Sequence, residues 1–313
     1  MTDTFYDAVI VGGGTAGLSA AQMLGRARRR VLVIDAGAPR NRFAAHMHGV
    51  LGHDGRSPAE LLRTGRAEAA AYGVEFLDTT VTSIDDAGDH LSVAYDGGML
   101  AARGLILTTG VVDDLPDVAG LREQWGRGVI HCPYCHGYEV GGRRLGVLAT
   151  SPASLHQIEL VRQWSDDVTA FTAGLGAVDD TVTARLAGRG IRLVDSPVTE
   201  LRTEGDVVTG VLTVDGAAHP IDALFTAPTP RLHLDYAANL DLALSSEPGE
   251  GLRVDMRGAT SHPRVFAAGN VVTPFGNVPL SMGQGSMAGA GLNAALVMED
   301  AASALRNSET LRS

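Results

Sequence analysis

The stretch Gly12-Gly13-Gly14-Thr15-Ala16-Gly17 constrains this chain more than any other. It follows an apolar run, Asp7 to Val11, that reads as a buried strand. It opens an amphipathic segment, about Thr15 to Ala27, that reads as a helix. A second apolar strand, Val31 to Ile34, then ends at Asp35. The spacing Gly12-x-Gly14-x-x-Gly17 permits a tight turn and lets a pyrophosphate approach the helix N-terminus. The acid about 20 residues on accepts bonds from ribose hydroxyls. Strand, turn, helix, strand and acid in this order specify a dinucleotide-binding α/β domain. The motif alone does not separate FAD from NAD.

A second feature lies far from the first. The only two cysteines, Cys132 and Cys135, stand in His131-Cys132-Pro133-Tyr134-Cys135-His136-Gly137-Tyr138-Glu139. A Cys-x-x-Cys pair can close a small disulfide, bind metal, or carry a thiol of lowered pKa. Composition helps to choose. The net charge of -11 argues against nucleic acid, which needs a basic surface. No run approaches the roughly 18 apolar residues of a membrane span, so no membrane partner is expected. Met1-Thr2-Asp3-Thr4 lacks a basic n-region, so a cytoplasmic protein is expected. In a reducing compartment a lone Cys-x-x-Cys points to catalysis or metal before a structural bridge. Zinc needs a further ligand pair, and His131 and His136 are too close in sequence to complete a good tetrahedron, so no metal is expected. Cys-Pro-Tyr-Cys is also a glutaredoxin dithiol, but Gly137, Gly141 and Gly142 follow it here and a nucleotide-binding region precedes it.

The rest of the chain reads as two α/β domains. A loop over 37–58 holds Arg40, Asn41, His46, His48 and His53. A helix, about Pro58 to Tyr72, leads to strand candidates at Val74–Ile84, Leu91–Tyr95 and Met99–Leu107, which form a small antiparallel meander. Residues 111–120 look like a crossover. A strand (Arg144 to Thr150), a helix (Ala153 to Trp164), a strand (Val168 to Thr172) and a second meander (191–226) repeat the plan in smaller form. Pro228-Thr229-Pro230 reads as a second crossover. A small-residue helix from about Val278 to Leu305 closes the chain, with a frayed polar tail over 306–313. The basic run Arg26, Arg28, Arg29, Arg30 reads as a helix-end cap.

Together these residues resemble the low-molecular-weight thioredoxin reductase family of flavoproteins. Gly12, Gly14, Gly17 and Asp35 match its FAD fingerprint, and Thr108-Thr109-Gly110 matches its Ala-Thr-Gly strand end. Phe266-Ala267-Ala268-Gly269-Asn270 matches its Phe-Ala-x-Gly-Asp motif. The resemblance implies two Rossmann-like three-layer domains. A split FAD domain, 1–115 and 231–313, receives an inserted NAD(P)-type domain, 116–230. It also implies a homodimer. Carried over position by position, the FAD contacts fall on Gly12, Gly14, Thr15, Ala16, Gly17, Asp35 and Ala36. Arg40, Asn41, His48, Val81, Thr109 and Gly110 join them from the middle of the chain. Gly269, Asn270, Asn277 and Val278 complete them. The loop bearing His46, His48 and His53 corresponds to one that passes the flavin edge.

This chain departs from the family in several places. The usual Cys-x-x-Cys-Asp is Cys132-Pro133-Tyr134-Cys135-His136, with Glu139 three residues on. Cys-x-x-Cys-His-Gly-Tyr-Glu resembles the branch of gliotoxin- and holomycin-type dithiol oxidases. The glycines expected after the inserted domain's first strand are replaced by Ala149-Thr150-Ser151-Pro152-Ala153-Ser154, and Thr169-Ala170-Phe171-Thr172-Ala173-Gly174 carries no basic residue for a 2′-phosphate. Both losses argue against tight NADP(H) binding. Asn270 stands where the family has Asp, and the Arg-Gln before the last helix is missing.

The expected function is FAD-dependent thiol–disulfide exchange on a small-molecule or protein dithiol or disulfide. By the family pattern Cys135 faces the flavin and Cys132 meets substrate. His136 suits proton transfer because its unperturbed pKa is near neutrality, and Glu139 can orient it. The leading direction is dithiol oxidation, with oxygen or another acceptor. The alternatives are an NAD(P)H- or ferredoxin-dependent reductase and a redox-sensing flavoprotein without turnover.

Overall fold

The computed structural model describes residues 5–247, 249 and 251–310. The expectations for Met1–Thr4 and for residues 311–313 of the tail lie outside these. The chain divides into two compact units, one of residues 1–40, 59–112 and 230–313, the other of 41–58 and 113–229.

The first unit is built on a mixed sheet. Its strand order is Glu75–Asp78, Val31–Asp35, Phe5–Val11, Gly98–Leu107, Leu91–Tyr95, Val81–Asp86, with Val265–Ala267 also paired to Gly98–Leu107. Phe5–Val11 lies parallel between Val31–Asp35 and Gly98–Leu107. Alternation along it sends Ala8 and Ile10 to one face and Val9 and Val11 to the other. The first face is covered by residues of the helices Thr15–Arg26 and Val278–Thr310, including Ala16, Ala20, Leu24, Ala288 and Leu292. These helices approach closely because their facing residues are small. A Cβ on Gly285 would lie 2.0 Å from the Ala16 carbonyl oxygen, and one on Gly289 2.8 Å from that of Ala20.

Some expectations need correction here. The segment 74–84, expected as one strand, is two. Glu75–Asp78 extends the parallel sheet, and Val81–Asp86 starts the antiparallel meander. The break falls at Thr79, whose N–H donates to the Asp35 carbonyl and whose hydroxyl donates to the Asp96 carbonyl, turning the chain between the two partners. The last helix runs on to Thr310. Of the basic run, Arg26 sits in the last turn of its helix as expected. Arg29 instead bonds Asn293 and Asp300 on the final helix.

The second unit has a five-stranded parallel sheet, ordered Arg192–Val194, Val168–Phe171, Leu145–Leu148, Ala223–Thr226, Val129–Ile130. Its central strands, Val168–Phe171, Leu145–Leu148 and Ala223–Thr226, are buried along their whole length, as apolar runs covered on both faces should be. An antiparallel sheet, Val198–Glu204, Val207–Thr213 and Ala218–His219, forms the meander. Asn41–Pro58 groups with this unit. Phe43 packs on Gly126, whose positive φ and lack of a side chain admit it. No helix among the described residues is long and apolar enough to cross a membrane.

Candidate functional site

In the first unit the glycine turn divides its work among three residues. Gly12 has φ +106°, and a Cβ there would lie 2.6 Å from the Thr108 carbonyl oxygen. A Cβ on Gly17 would lie 2.0 Å from the Gly12 carbonyl oxygen, so this glycine serves close packing of helix on turn. Gly14 differs. A Cβ there meets nothing within 4 Å, and no side chain caps the helix that it starts. The turn therefore presents open space to a phosphate beside helix N–H groups. Thr108 locks the turn from below, its hydroxyl bridging the Val11 and Gly12 carbonyls at 3.0 and 2.8 Å.

Asp35 and Ala36 line a cavity of about 370 Å³ with Gly37, Arg66, Asp78, Thr79 and Thr80. It opens at the carboxyl ends of Val31–Asp35 and Glu75–Asp78, where open α/β sheets take ligands. Val81 is buried next to Thr80 in sequence. Thr109 hydrogen-bonds Tyr236 at 3.1 Å, and burial pushes the Tyr236 phenol up to about 12. Gly110 follows with φ +71°.

The loop after Val265–Ala267 is held by side chains. The Asn270 amide nitrogen donates to the carbonyls of Thr273, Pro274 and Gly276 at 3.0, 3.2 and 2.8 Å. A carboxylate cannot donate, which accounts for Asn at a place where the resemblance led us to expect Asp. The Asn270 amide nitrogen is engaged by the loop. Arg40 also donates to the Pro274 carbonyl. Gln284, which sequence reasoning missed, accepts from the Gly269 N–H at 3.0 Å and donates to Thr273 at 2.9 Å. Asn277 caps the final helix by accepting the Leu280 N–H at 3.0 Å, and Val278 begins that helix. The open Gly14, the acid-lined cavity at Asp35 and the braced 269–277 loop together fit a dinucleotide such as FAD.

In the second unit Cys132 and Cys135 form a disulfide with Cα atoms 5.3 Å apart. Pro133–His136 is one helical turn entered through Cys132, with proline where a missing N–H costs nothing. It ends against Trp164. A Cβ on Gly137 would lie 2.9 Å from that ring, and Tyr134 packs on it at a right angle with ring centroids 5.5 Å apart. Gln157 anchors the entry by donating to the His131 carbonyl at 2.6 Å.

His136 is partly buried, and burial holds its imidazole below the usual 6.5. Glu139 acts in the opposite sense, and His48 adds to the lowering. His48 lies in the same unit, its ring edge-on to His136 with centroids 6.3 Å apart. The segment 46–56 carrying it is a tight hairpin. Met47 and Arg56 pair at 2.9 Å, Gly55 donates to Met47 at 2.9 Å, and His46 Nδ1 lies 3.1 Å from the Gly55 carbonyl. Met47 and Val50 anchor it in the interior. Asn41 and His48, expected among the flavin contacts, thus group with the dithiol unit. Among the described residues no group of three or more His, Cys, Asp or Glu is placed to hold a metal ion.

The loop after Leu145–Leu148, where the family resemblance places a nicotinamide pyrophosphate, is bonded from within. A cavity of about 420 Å³ lies at the carboxyl ends of Leu145–Leu148 and Ala223–Thr226. Its lining includes Asp114 and Asp117 and no basic residue. Ser154, nearly fully buried, turns its hydroxyl back to accept the N–H groups of Thr150 and Ser151 at 3.0 and 3.4 Å. Pro152 has no N–H. The donors that a glycine loop offers to a pyrophosphate are here satisfied from within.

The comparisons agree with this architecture. The model of the pyridine nucleotide-disulphide oxidoreductases matches residues 6–288. Thioredoxin reductase sirT of Leptosphaeria maculans is 32% identical over 308 residues, covering 93% of this chain and 94% of that one. The crystal structure of HlmI matches with TM-score 0.93 and 40% identity, over 98% of this chain and 97% of the other. An oxidoreductase from Agrobacterium tumefaciens matches with TM-score 0.89 and 38% identity, over 94% of this chain and 99% of the other.

Proposed function

The chain belongs to the pyridine nucleotide-disulphide oxidoreductase family, and from that premise we propose that it oxidises a substrate dithiol through Cys132 and Cys135 with FAD as cofactor. One observation carries the direction. The Cys132–Cys135 dithiol site is complete, while the N–H groups of the nicotinamide loop are bonded to Ser154. Gly12, Gly14, Thr15, Ala16 and Gly17 would hold the pyrophosphate of FAD, and Asp35 and Ala36 the adenosine end. FAD, when bound, takes the electron pair that the dithiol gives up, for oxygen or another acceptor to remove.

The chain's own residues conduct the exchange. A substrate thiolate attacks one sulfur of the Cys132–Cys135 disulfide, forming a mixed disulfide and freeing the other cysteine. The second substrate thiol attacks the mixed disulfide. The products are the substrate disulfide and two reduced cysteines, so the two thiol protons and the electron pair have moved from substrate to protein. His136, neutral at pH 7 because of its burial, accepts the proton of the attacking thiol and returns it to the departing sulfur. The resemblance assigns Cys132 to substrate and Cys135 to the flavin.

The test is oxygen uptake by the purified yellow protein with dithiothreitol and no nicotinamide. Uptake that disappears in Cys132→Ser and Cys135→Ser, with FAD retained, supports the proposal. The similarity to thioredoxin reductase sirT favours a thioredoxin reductase reading. Disulfide reduction driven by NADPH, with no dithiol-driven uptake, would establish that reading instead. Absence of both reactions would leave a redox-sensing flavoprotein.

A further inference from the structure

His136 faces a second histidine, His48, edge-on with ring centroids 6.3 Å apart. His48 sits between two carboxylates. Its Nδ1 is 3.4 Å from Asp54 Oδ2, and its Nε2 is 3.4 Å from Glu139 Oε1. Asp54 is itself fixed, accepting the Gly49 N–H at 2.9 Å. That bond first, and His48 second, hold its carboxyl below the usual range. Asp54 is the most exposed of the three, with side-chain values of 24% for His48, 41% for Glu139 and 68% for Asp54. The hairpin is closed at Met47 and Arg56 and anchored by buried Met47 and Val50, so the His48 ring is presented by a braced element.

A neutral imidazole has one N–H and one lone pair, whereas a protonated ring donates at both nitrogens. His48 thus has a carboxylate oxygen 3.4 Å from each ring nitrogen. A ring with an acceptor at either end is suited to taking a proton at one nitrogen and giving one up at the other.

We propose that His48, clamped by Asp54, is a positioning residue for the dithiol chemistry: it aligns Glu139 toward His136 and passes the proton leaving the dithiol from that pair to water. This rests on the dithiol-oxidation reading. The proton count requires such an exit. When Cys132 and Cys135 re-form their disulfide, two S–H bonds break and one S–S bond forms. With FAD bound to take up two electrons and one proton, the second proton would have to reach solvent. His136 takes it from the cysteine. Glu139 balances the imidazolium charge. His48 carries the proton outward, with Asp54 fixing its ring. The titratable groups facing His136 are Glu139 from its own segment and His48 from the hairpin. Those facing His48 are Asp54, Glu139 and His136.

The experiment is anaerobic stopped-flow bleaching of the holoprotein by dithiothreitol across pH, in wild type, His48→Gln, Asp54→Asn and the double variant. His48→Gln should slow bleaching about tenfold at pH 7, a modest part of a general acid–base contribution. It should also move the acid limb of the profile to higher pH, because the neighbour that adds to the lowering of His136 is gone. Millimolar imidazole should restore the rate. Asp54→Asn should slow it less, and the double variant should be no slower than His48→Gln. A His48→Gln protein with wild-type rate and profile, or one whose slow rate imidazole does not restore, would overturn the proposal. If NADPH and not dithiothreitol bleaches the wild type, the oxidation reading fails by itself. The relay is then measured on NADPH-reduced protein mixed with oxidised dithiothreitol, where the same variants must show the same loss and the same rescue.

Discussion

Replacing Asn270 by aspartate restores the residue that the family resemblance led us to expect, and it should destabilise this protein. The Asn270 amide nitrogen serves three carbonyls, those of Thr273, Pro274 and Gly276, at 2.8 to 3.2 Å. Its two N–H bonds are worth about 1 kcal/mol each net. Asn270→Asp removes both and turns a negative oxygen toward the same carbonyls. Arg40, which donates to the Pro274 carbonyl, limits the electrostatic part. The total is then about 2–3 kcal/mol at neutral pH. At roughly 2 °C per kcal/mol for a chain of this size, the flavin-free protein should melt about 4–6 °C lower. The loss should depend on pH with a definite sign. Carbonyl oxygens around a carboxyl raise its folded pKa above the unfolded value of about 3.9. The native state then holds a proton that the unfolded state has released, so the variant loses stability as pH rises through that window and regains part of it in acid. Calorimetry of flavin-free wild type and variant at neutral and acidic pH makes the comparison. An Asn270→Asp protein that melts at or above wild type at neutral pH would refute the role given to the amide.

Other substitutions separate fold from ligand and place the titration. Gly14→Ala should keep the melting temperature within a few degrees, since its Cβ meets nothing within 4 Å. It should weaken FAD retention at least tenfold, about 1.4 kcal/mol, read as the ratio of flavin to protein absorbance. Gly17→Ala, with its Cβ 2.0 Å from the Gly12 carbonyl oxygen, should instead cost about 1–3 kcal/mol in folding, read by thermal melting. Dithiol-driven flavin reduction in wild type should fall off below pH 6.5, where a buried His136 gains its proton. Glu139→Gln removes the charge that favours the imidazolium and should move this limb to still lower pH. Ser154→Gly frees the Thr150 and Ser151 N–H groups, but should leave NADPH binding undetectable by calorimetry, because Pro152, Asp114 and Asp117 remain.

Much of this was legible in the sequence because it depends on local spacing. The glycine turn, the acid at Asp35 and the Cys-x-x-Cys turn are each set within a few residues of chain. The missing glycines after Leu148 were also visible. What replaces them was not: the Ser154 hydroxyl bonding Thr150 and Ser151 depends on a helix starting at Ser154. Long-range partners were out of reach for the same reason. Gln284 is 15 residues from Gly269, and nothing in its neighbours marks it as a brace. The hairpin 46–56 read as an irregular loop, because Met47 pairs with Gly55 and Arg56 without an alternating apolar pattern. The resemblance places His48 in a loop near the flavin edge; its neighbours His136 and Glu139, more than 80 residues away in sequence, emerge only in the folded chain.

In the proposed reaction electrons enter this protein from a dithiol and not from a nicotinamide. Anaerobic mixing of the FAD-loaded protein with dithiothreitol, NADPH or NADH, followed at the flavin band near 450 nm, tests it most directly. Prompt bleaching by dithiothreitol and none by either nicotinamide at millimolar concentration is the expected result. Prompt bleaching by NADPH, with dithiothreitol without effect, would contradict it.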